Sequence, residues 1–229
     1  MFQPVFPLNL RGVNDVFSGF ALGDFAVLQG SSVLTLASLL CVKAQLPKQL
    51  GGLESSVIFI DGGNSLRLYQ IAQLAQILYL EPKKVLSNIY VSRAFTAYQT
   101  ASLIMEQLKE AIKKYNSKLV IISDIAGFFL DKDIPEYEAQ RIFFQVTTFL
   151  SNFARENQII IIAIYPEHTN TKRNDLFQTL TRSKANVVLS LRMTGYSRQF
   201  ALEKHPYLSL GVAELPFESL TLDDFTQKA

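Results

Sequence analysis

Short runs of aliphatic and β-branched residues recur along the chain, each closed by turn residues and followed by a stretch of helical periodicity. Phe25-Ala26-Val27-Leu28 ends at Gln29-Gly30, and Val57-Ile58-Phe59-Ile60 ends at Asp61-Gly62-Gly63. Ile89-Tyr90-Val91 runs into Ser92-Arg93, Leu119–Ile122 ends at Ser123-Asp124, and Ile159–Tyr165 ends at Pro166. The runs are continuous rather than alternating, the mark of strands buried on both faces in a parallel sheet. Helical stretches separate them over Val33–Gln45, Leu66–Leu78, Ala97–Tyr115 and Glu138–Asn157. The third carries Leu103, Met105, Leu108 and Ile112; the fourth carries Ile142, Phe143, Val146, Phe149, Leu150 and Phe153, both near a period of 3.6. This order predicts an α/β fold, a mostly parallel twisted sheet with right-handed crossovers and flanking helices. Beyond Tyr165 a polar stretch, Pro166–Lys184, reads as a loop. Val187–Leu191, Gln199–Glu203 and Leu208–Val212 then read as strands of an antiparallel edge.

Composition narrows the class. The chain has 229 residues, 48% hydrophobic and 18% charged, with one Cys and no Trp. That length suits a single domain over residues 1–229 that needs no disulfide to bury its core. The low charge excludes a disordered chain. Cys41 has no intrachain partner and the start is unlike a signal peptide, so a reducing, cytoplasmic setting is expected. Phe25–Val42 carries no charge and approaches the length of a membrane span. Gln29, Gly30, Ser31, Ser32, Thr35 and Ser38 interrupt it, so a strand, a turn and a buried helix are expected, with no membrane contact. A net charge of +2 does not by itself point to nucleic acid.

Ligands of open α/β sheets gather beyond the C-terminal strand ends. At the first end, Gly30-Ser31-Ser32-Val33-Leu34 occupies the place of a phosphate loop. Such a loop needs several Gly to bring amides to the phosphates, then Lys, then Ser or Thr for Mg²⁺. Only Gly30 is present, and the next Lys is Lys43. A plain tight turn is expected, with anion binding on the helix N-terminus as the alternative. At the second end, Asp61-Gly62-Gly63 makes a sharp turn, with Asn64 or Ser65 as the cap of a helix from Leu66. At the third, Asp124 is placed either to hold Mg²⁺-bound water in a nucleotide site or to form a turn. His168 and His205 lack metal-spaced partners, so no metal site is expected; His168 beside Glu167 reads as solvated loop. Cys41 reads as an inert core thiol.

The ordered series resembles the core of the RecA/RadA-type recombinases, nearest the archaeal RadA branch and its paralogues, from about Val13 to Leu191. The resemblance is carried by Gly23–Leu28, Cys41–Pro47, Gly51-Gly52, Val57–Asp61, Leu119–Asp124 and Glu138–Arg141. Its most specific piece is Val85-Leu86-Ser87-Asn88-Ile89-Tyr90-Val91-Ser92-Arg93-Ala94-Phe95. It implies a RecA-like P-loop NTPase core. Set on the family pattern, Val33 takes the place of the phosphate-loop Lys and Leu34 that of the Ser/Thr. About three residues are missing between Gly30 and Ser31. Gly63 stands where the family's water-activating Glu should be. The nucleotide-binding set Gly30, Ser31, Ser32, Val33, Leu34, Gly63 and Asp124 is thus a degenerate one, and the expectation is a pseudo-ATPase with no catalytic residues and no cofactor.

The resemblance also implies partners. The family's first DNA-facing loop falls at Asp131–Tyr137, short and acidic here. The second falls at Pro166–Lys184, with Lys172, Arg173, Arg182 and Lys184 as candidate contacts for single-stranded DNA. Pro166–Lys204 holds seven Lys/Arg against three acids. In the family, a Phe-x-x-Ala tether from one subunit docks beside the strands matching Val57–Ile60 and Ile89–Ala94. That makes Ile58, Ile60, Tyr90, Ser92 and Ala94 the candidates for binding a RadA-type recombinase or another RecA-fold paralogue. Phe2-Gln3-Pro4-Val5 matches such a tether poorly. Few residues precede the core, so no N-terminal DNA-binding domain and weak self-polymerisation are expected. The reading is a non-catalytic mediator of homologous recombination and DNA repair, with some excess apolar surface as a partner face. Its rivals are an ATPase with a displaced or partner-completed site, and a scaffold on the same fold unrelated to DNA.

Overall fold

The computed structural model describes residues 5–10, 12–194 and 197–215. Two short strands, β1 (Val5–Phe6) and β2 (Phe20–Ala21), form an antiparallel ribbon. Then follow β3 (Phe25–Gly30), α1 (Val33–Lys43), β4 (Ser56–Asp61), α2 (Leu68–Ile77), α3 (Pro82–Ser87) and β5 (Ile89–Arg93). Next come α4 (Ala97–Ser102), α5 (Leu108–Tyr115), β6 (Ser117–Ser123), α6 (Glu136–Asn157), β7 (Ile160–Tyr165) and α7 (Lys172–Lys184). The described chain closes with β8 (Val187–Thr194), β9 (Ser197–Lys204) and β10 (Gly211–Leu215).

Among the described residues, eight strands form one sheet in the order β10-β9-β8-β3-β7-β6-β4-β5. The six from β8 to β5 are parallel, and β9 and β10 add an antiparallel edge. This is the expected fold, and the continuous apolar runs explain it. In β3, Ala26 and Leu28 pack into the layer formed by α1, α2 and the N-terminal segment, while Phe25 and Val27 pack into the layer formed by α4 to α7. A strand buried on both faces has no polar side, so the sequence shows no alternation. Phe25–Val42 becomes β3, a turn and α1, and no helix among the described residues is long and apolar enough to cross a membrane. Cys41 is fully buried, and burial pushes its thiol far above the ordinary range, as suits an inert core thiol.

Five details differ from the sequence reading. Pro166–Lys184 is not a loop: Lys172–Lys184 is α7, capped by the Thr171 hydroxyl accepting from the Asn174 amide, with Phe177 in the core. The last strand is Gly211–Leu215 rather than Leu208–Val212, because Tyr207 and Leu210 lie exposed in the turn before it. The Ala97–Tyr115 helix contains a π-helical stretch at Leu103–Gln107, which puts Ile104 rather than Met105 in line with Leu108 and Ile112. Helix α2 starts at Leu68, so neither Asn64 nor Ser65 caps it. Helix α3, rich in Lys and too short to show a period, is an element the sequence pattern did not announce.

The N-terminal segment lies over the sheet near its antiparallel edge. Phe17 packs on Phe20 and Phe200, and Phe6, Leu8, Leu10 and Val13 are buried beside it. It is held by an unusual residue. Lys43, almost fully buried at the end of α1, donates to the Pro7 carbonyl at 2.8 Å and the Leu8 carbonyl at 2.9 Å. The segment Phe2-Gln3-Pro4 lies outside the described residues.

Candidate functional site

The strand ends of β3, β4, β6 and β7 meet along one edge of the sheet. At β3 the backbone turns through Gly30, φ +98°, and a β-carbon there would overlap the Leu191 carbonyl of β8. That carbonyl accepts from the Ser31 amide at 3.0 Å and from its hydroxyl at 3.4 Å. Ser32 is left-handed, φ 60°, and makes no side-chain cap; Val33 is buried and Leu34 half-buried against the core. The chain therefore passes from β3 into α1 through Ser31, fastened to the neighbouring strand, and the left-handed Ser32.

At β4, Asp61 is wholly buried. Its carboxylate accepts from the Ser65 amide at 2.9 Å, the Ser123 hydroxyl at 2.9 Å and the Arg93 guanidinium at 3.2 Å. Burial alone would raise its pKa. The Ser65 amide, the Ser123 hydroxyl and the Arg93 charge outweigh that and hold it below the usual carboxylate range. Beside it, Gly63 faces Asp124: a β-carbon at Gly63 would stand 3.2 Å from the Asp124 Cβ. Asp124 itself, φ 48°, ends β6 with its Oδ1 2.7 Å from His168 Nε2. A carboxylate only accepts, so Nε2 carries the proton. His168 is thus not a solvated loop residue, because Tyr165 packs edge-on against its ring and Asp124 accepts its hydrogen bond.

The DNA candidates do not form a free patch. Lys172 is exposed at the start of α7. Arg173 donates to the Ile134 carbonyl and lies over Phe177. Lys184 sits 4.3 Å over the Phe144 ring. Arg182 is spent on Glu203, which also takes Arg192 at 2.6 Å, the Ser190 hydroxyl at 2.6 Å and the Gln29 amide at 2.9 Å. Burial would raise the Glu203 pKa, but Ser190, Arg182 and Arg192 together hold it low. The charge count over Pro166–Lys204 included Glu203 but could not show that it gathers Arg182, 21 residues away in sequence, and Arg192 onto one carboxylate.

Low-lying carboxylates give a signed pH prediction. A group with a depressed folded pKa stabilises the fold above its unfolded pKa, about 4 for Asp and Glu, and loses that contribution as pH falls further. Arg93→Met removes one support of Asp61. The expected result is an acid-unfolding midpoint at higher pH than wild type, followed by circular dichroism. At pH 7 the loss should be small, roughly 1 kcal/mol or less, because Arg93 is half-exposed.

The partner candidates divide. Ile58 and Ile60 of β4 and Ser92 of β5 line a hollow of about 260 Å³ whose other wall is the helix of α4 and α5: Leu103, Gln107, Leu108, Glu110, Ala111, Lys114 and Tyr115. Tyr90 is not in it. Its ring stacks on Tyr115 at 3.5 Å and faces a neighbouring polar hollow with Ser56, Asn88 and Asn116. Ala94 is buried under the β5 end, its amide on the Asp61 carbonyl. The helix wall was missed in the sequence, although Leu103 and Leu108 belonged to the apolar series that could have marked it. Strand β5 is an edge of the sheet, with Val91 and, just past its end, Phe95 exposed.

The sheet order, the crossovers and the placement of polar residues at these strand ends define a RecA-like core. The Rad51 family model matches residues 21–174, more than half of the chain. The chain belongs to this family of RecA-type recombinases, whose role lies in recombination and repair.

Proposed function

We propose that this chain is a non-catalytic paralogue, of the archaeal RadA kind, that works in recombination by holding a recombinase rather than by turning over ATP. The observation that carries the reading is the hollow between β4, β5 and α5, open beside an exposed edge strand. An edge strand offers unpaired backbone groups to an extended segment, and an adjacent hollow, in which Ile58, Ile60 and Leu108 stand beside Ser92, Gln107 and Lys114, takes one of its side chains. The partner of that chemistry is a RadA-type recombinase or a related paralogue.

The strand ends support the non-catalytic half. Phosphoryl transfer relies on positioned donors, a lysine, a metal and a water-orienting group. Here the Ser31 amide and hydroxyl are spent on Leu191, and Val33 is buried. His168 covers an oxygen of Asp124, and the Gly63 position brings no carboxylate. These residues do not suit a magnesium nucleotide. A displaced ATPase site would need Lys43 or Lys48. The Lys43 amine is turned onto the N-terminal segment and Lys48 is paired with Glu54. Support for DNA contact is thinner, because Arg173, Arg182 and Lys184 are engaged within the chain. The expected result with purified protein is no Mg-ATP hydrolysis above background in a coupled assay, with Asp124→Ala indistinguishable from wild type. Turnover that Asp124→Ala reduces contradicts the reading.

A further inference from the structure

We infer that the polar hollow beside Tyr90 is a second subsite of the docking face. It takes a neutral amide or hydroxyl side chain of the docked segment, two residues from the side chain seated against Ser92. The inference rests on the partner reading and extends it to the chemistry of the partner. Tyr90 and Ser92 lie on the same face of β5, roughly 7 Å apart along the strand. Ser92 lines one hollow with Ile58 and Ile60, whereas Tyr90 lines the other, of about 390 Å³. Tyr115 lines both and stands at their boundary, stacked on Tyr90 with the rings 3.5 Å apart and 14° from parallel. A segment paired along the free edge of β5 turns every second side chain to this face. A side chain over Ser92 therefore places the next but one over Tyr90.

Part of the second hollow is committed to the fold. The Ser56 hydroxyl donates to the Tyr115 carbonyl at 2.6 Å and the Ser55 hydroxyl to the Ser56 carbonyl at 2.8 Å. The Gln45 amide donates to the Cys41 and Val85 carbonyls at 3.1 and 3.0 Å. The remainder is open: the side-chain amides of Asn88 and Asn116 and the Tyr90 hydroxyl make no hydrogen bond among the described residues. Each of these groups both donates and accepts. Among the described residues the one charge lining this hollow is Glu54, whose carboxylate faces Lys48 at 3.8 Å. Lys114 belongs to the other hollow, its amine 5.1 Å over the Tyr115 ring. Asn, Gln, Ser and Thr bring a donor and an acceptor together and so match this set. An apolar side chain would leave the amides unsatisfied, and a carboxylate would meet Glu54. Lys and Arg only donate, so the amide N–H groups would face them without an acceptor.

The probe is a library of random heptapeptides displayed on phage and selected on the full chain, scoring the sequences that Ser92→Arg fails to bind. They are expected to hold an aromatic or aliphatic residue and, two positions from it, Asn, Gln, Ser or Thr. A synthetic peptide of that kind should bind wild type about tenfold more tightly than it binds Asn88→Leu. Changing its polar residue to Ala should cost about the same factor on wild type and nothing on Asn88→Leu. The Ala peptide on wild type needs no altered protein, so the result does not hang on how well Asn88→Leu folds. An apolar anchor with no preference two positions away overturns the inference and leaves the partner reading standing. A preference there for Lys, Arg, Asp or Glu, or an equal loss from the Ala peptide on both proteins, overturns it in the same way. If every selected sequence still binds Ser92→Arg, the partner reading fails and the inference fails with it.

Discussion

Replacing Lys43 by Ala lowers stability at pH 7 by about 3 kcal/mol, which for a chain of this size is a drop of roughly 6–12 °C in melting temperature. Two opposing effects set the figure. Burial pulls the Lys43 pKa from 10.5 down to about 8, so holding the charge in the core opposes folding by about 3 kcal/mol at neutral pH, and the variant is relieved of that. Against this, the Pro7 and Leu8 carbonyls lose their donor, at about 1–3 kcal/mol each. The three methylenes beyond Cβ also leave apolar contacts worth about 0.8 kcal/mol each. The losses win. The same residue gives a pH signature. Between about 8 and 10.5 the unfolded chain keeps the proton that the folded chain has lost, so this group adds stability as pH rises through that window. The amine, still a two-hydrogen donor when neutral, keeps both carbonyls. Thermal melts of wild type and Lys43→Met across pH 7–10 should show the wild type gaining relative to the variant. A constant difference would remove the pH part of the account.

Ser92→Arg should weaken recombinase binding about 100-fold, close to 3 kcal/mol. Ser92 lies on β5 at the mouth of the hollow, and a long cation there fills the space that a docking side chain needs and sets a charge against Ile58, Ile60 and Leu108. The residue is half-buried at the sheet edge, so the guanidinium can reach water and the fold should hold within a few degrees. Tyr207→Ala, on an exposed turn beyond β9, serves as the neutral control. Binding by isothermal calorimetry, with melting temperatures of each variant, separates a lost docking site from a lost fold.

The strands were readable because burial on both faces leaves a local signature. Ala26 and Leu28 on one side and Phe25 and Val27 on the other must all be apolar, so β3, β4, β6 and β7 stood out within a residue or two. Helix α7 was misread because its buried side includes Asn174 and Thr181 beside Phe177, and polar core positions hide a helical stripe. Thr171, three residues before the Asn174 amide it caps, was the overlooked local signal. The contacts that matter at the strand ends were not local at all. His168 reaches Asp124 across 44 residues, and Glu203 gathers Gln29, Arg182, Ser190 and Arg192 from three elements. Lys43 showed only as a cation in an apolar helix; its partners lie 35 and 36 residues upstream. The partner face was half legible: Ile58, Ile60 and Ser92 were marked, whereas the helical wall depends on the π-helical stretch at Leu103–Gln107, which no periodic pattern announces.

The most direct test of a role by protein contact is to titrate the purified recombinase of the same host into this chain in the absence of ATP. The account predicts saturable binding at micromolar concentration or tighter, weakened about 100-fold by Ser92→Arg and unchanged by Asp124→Ala. No binding, or binding that Ser92→Arg leaves intact, contradicts it.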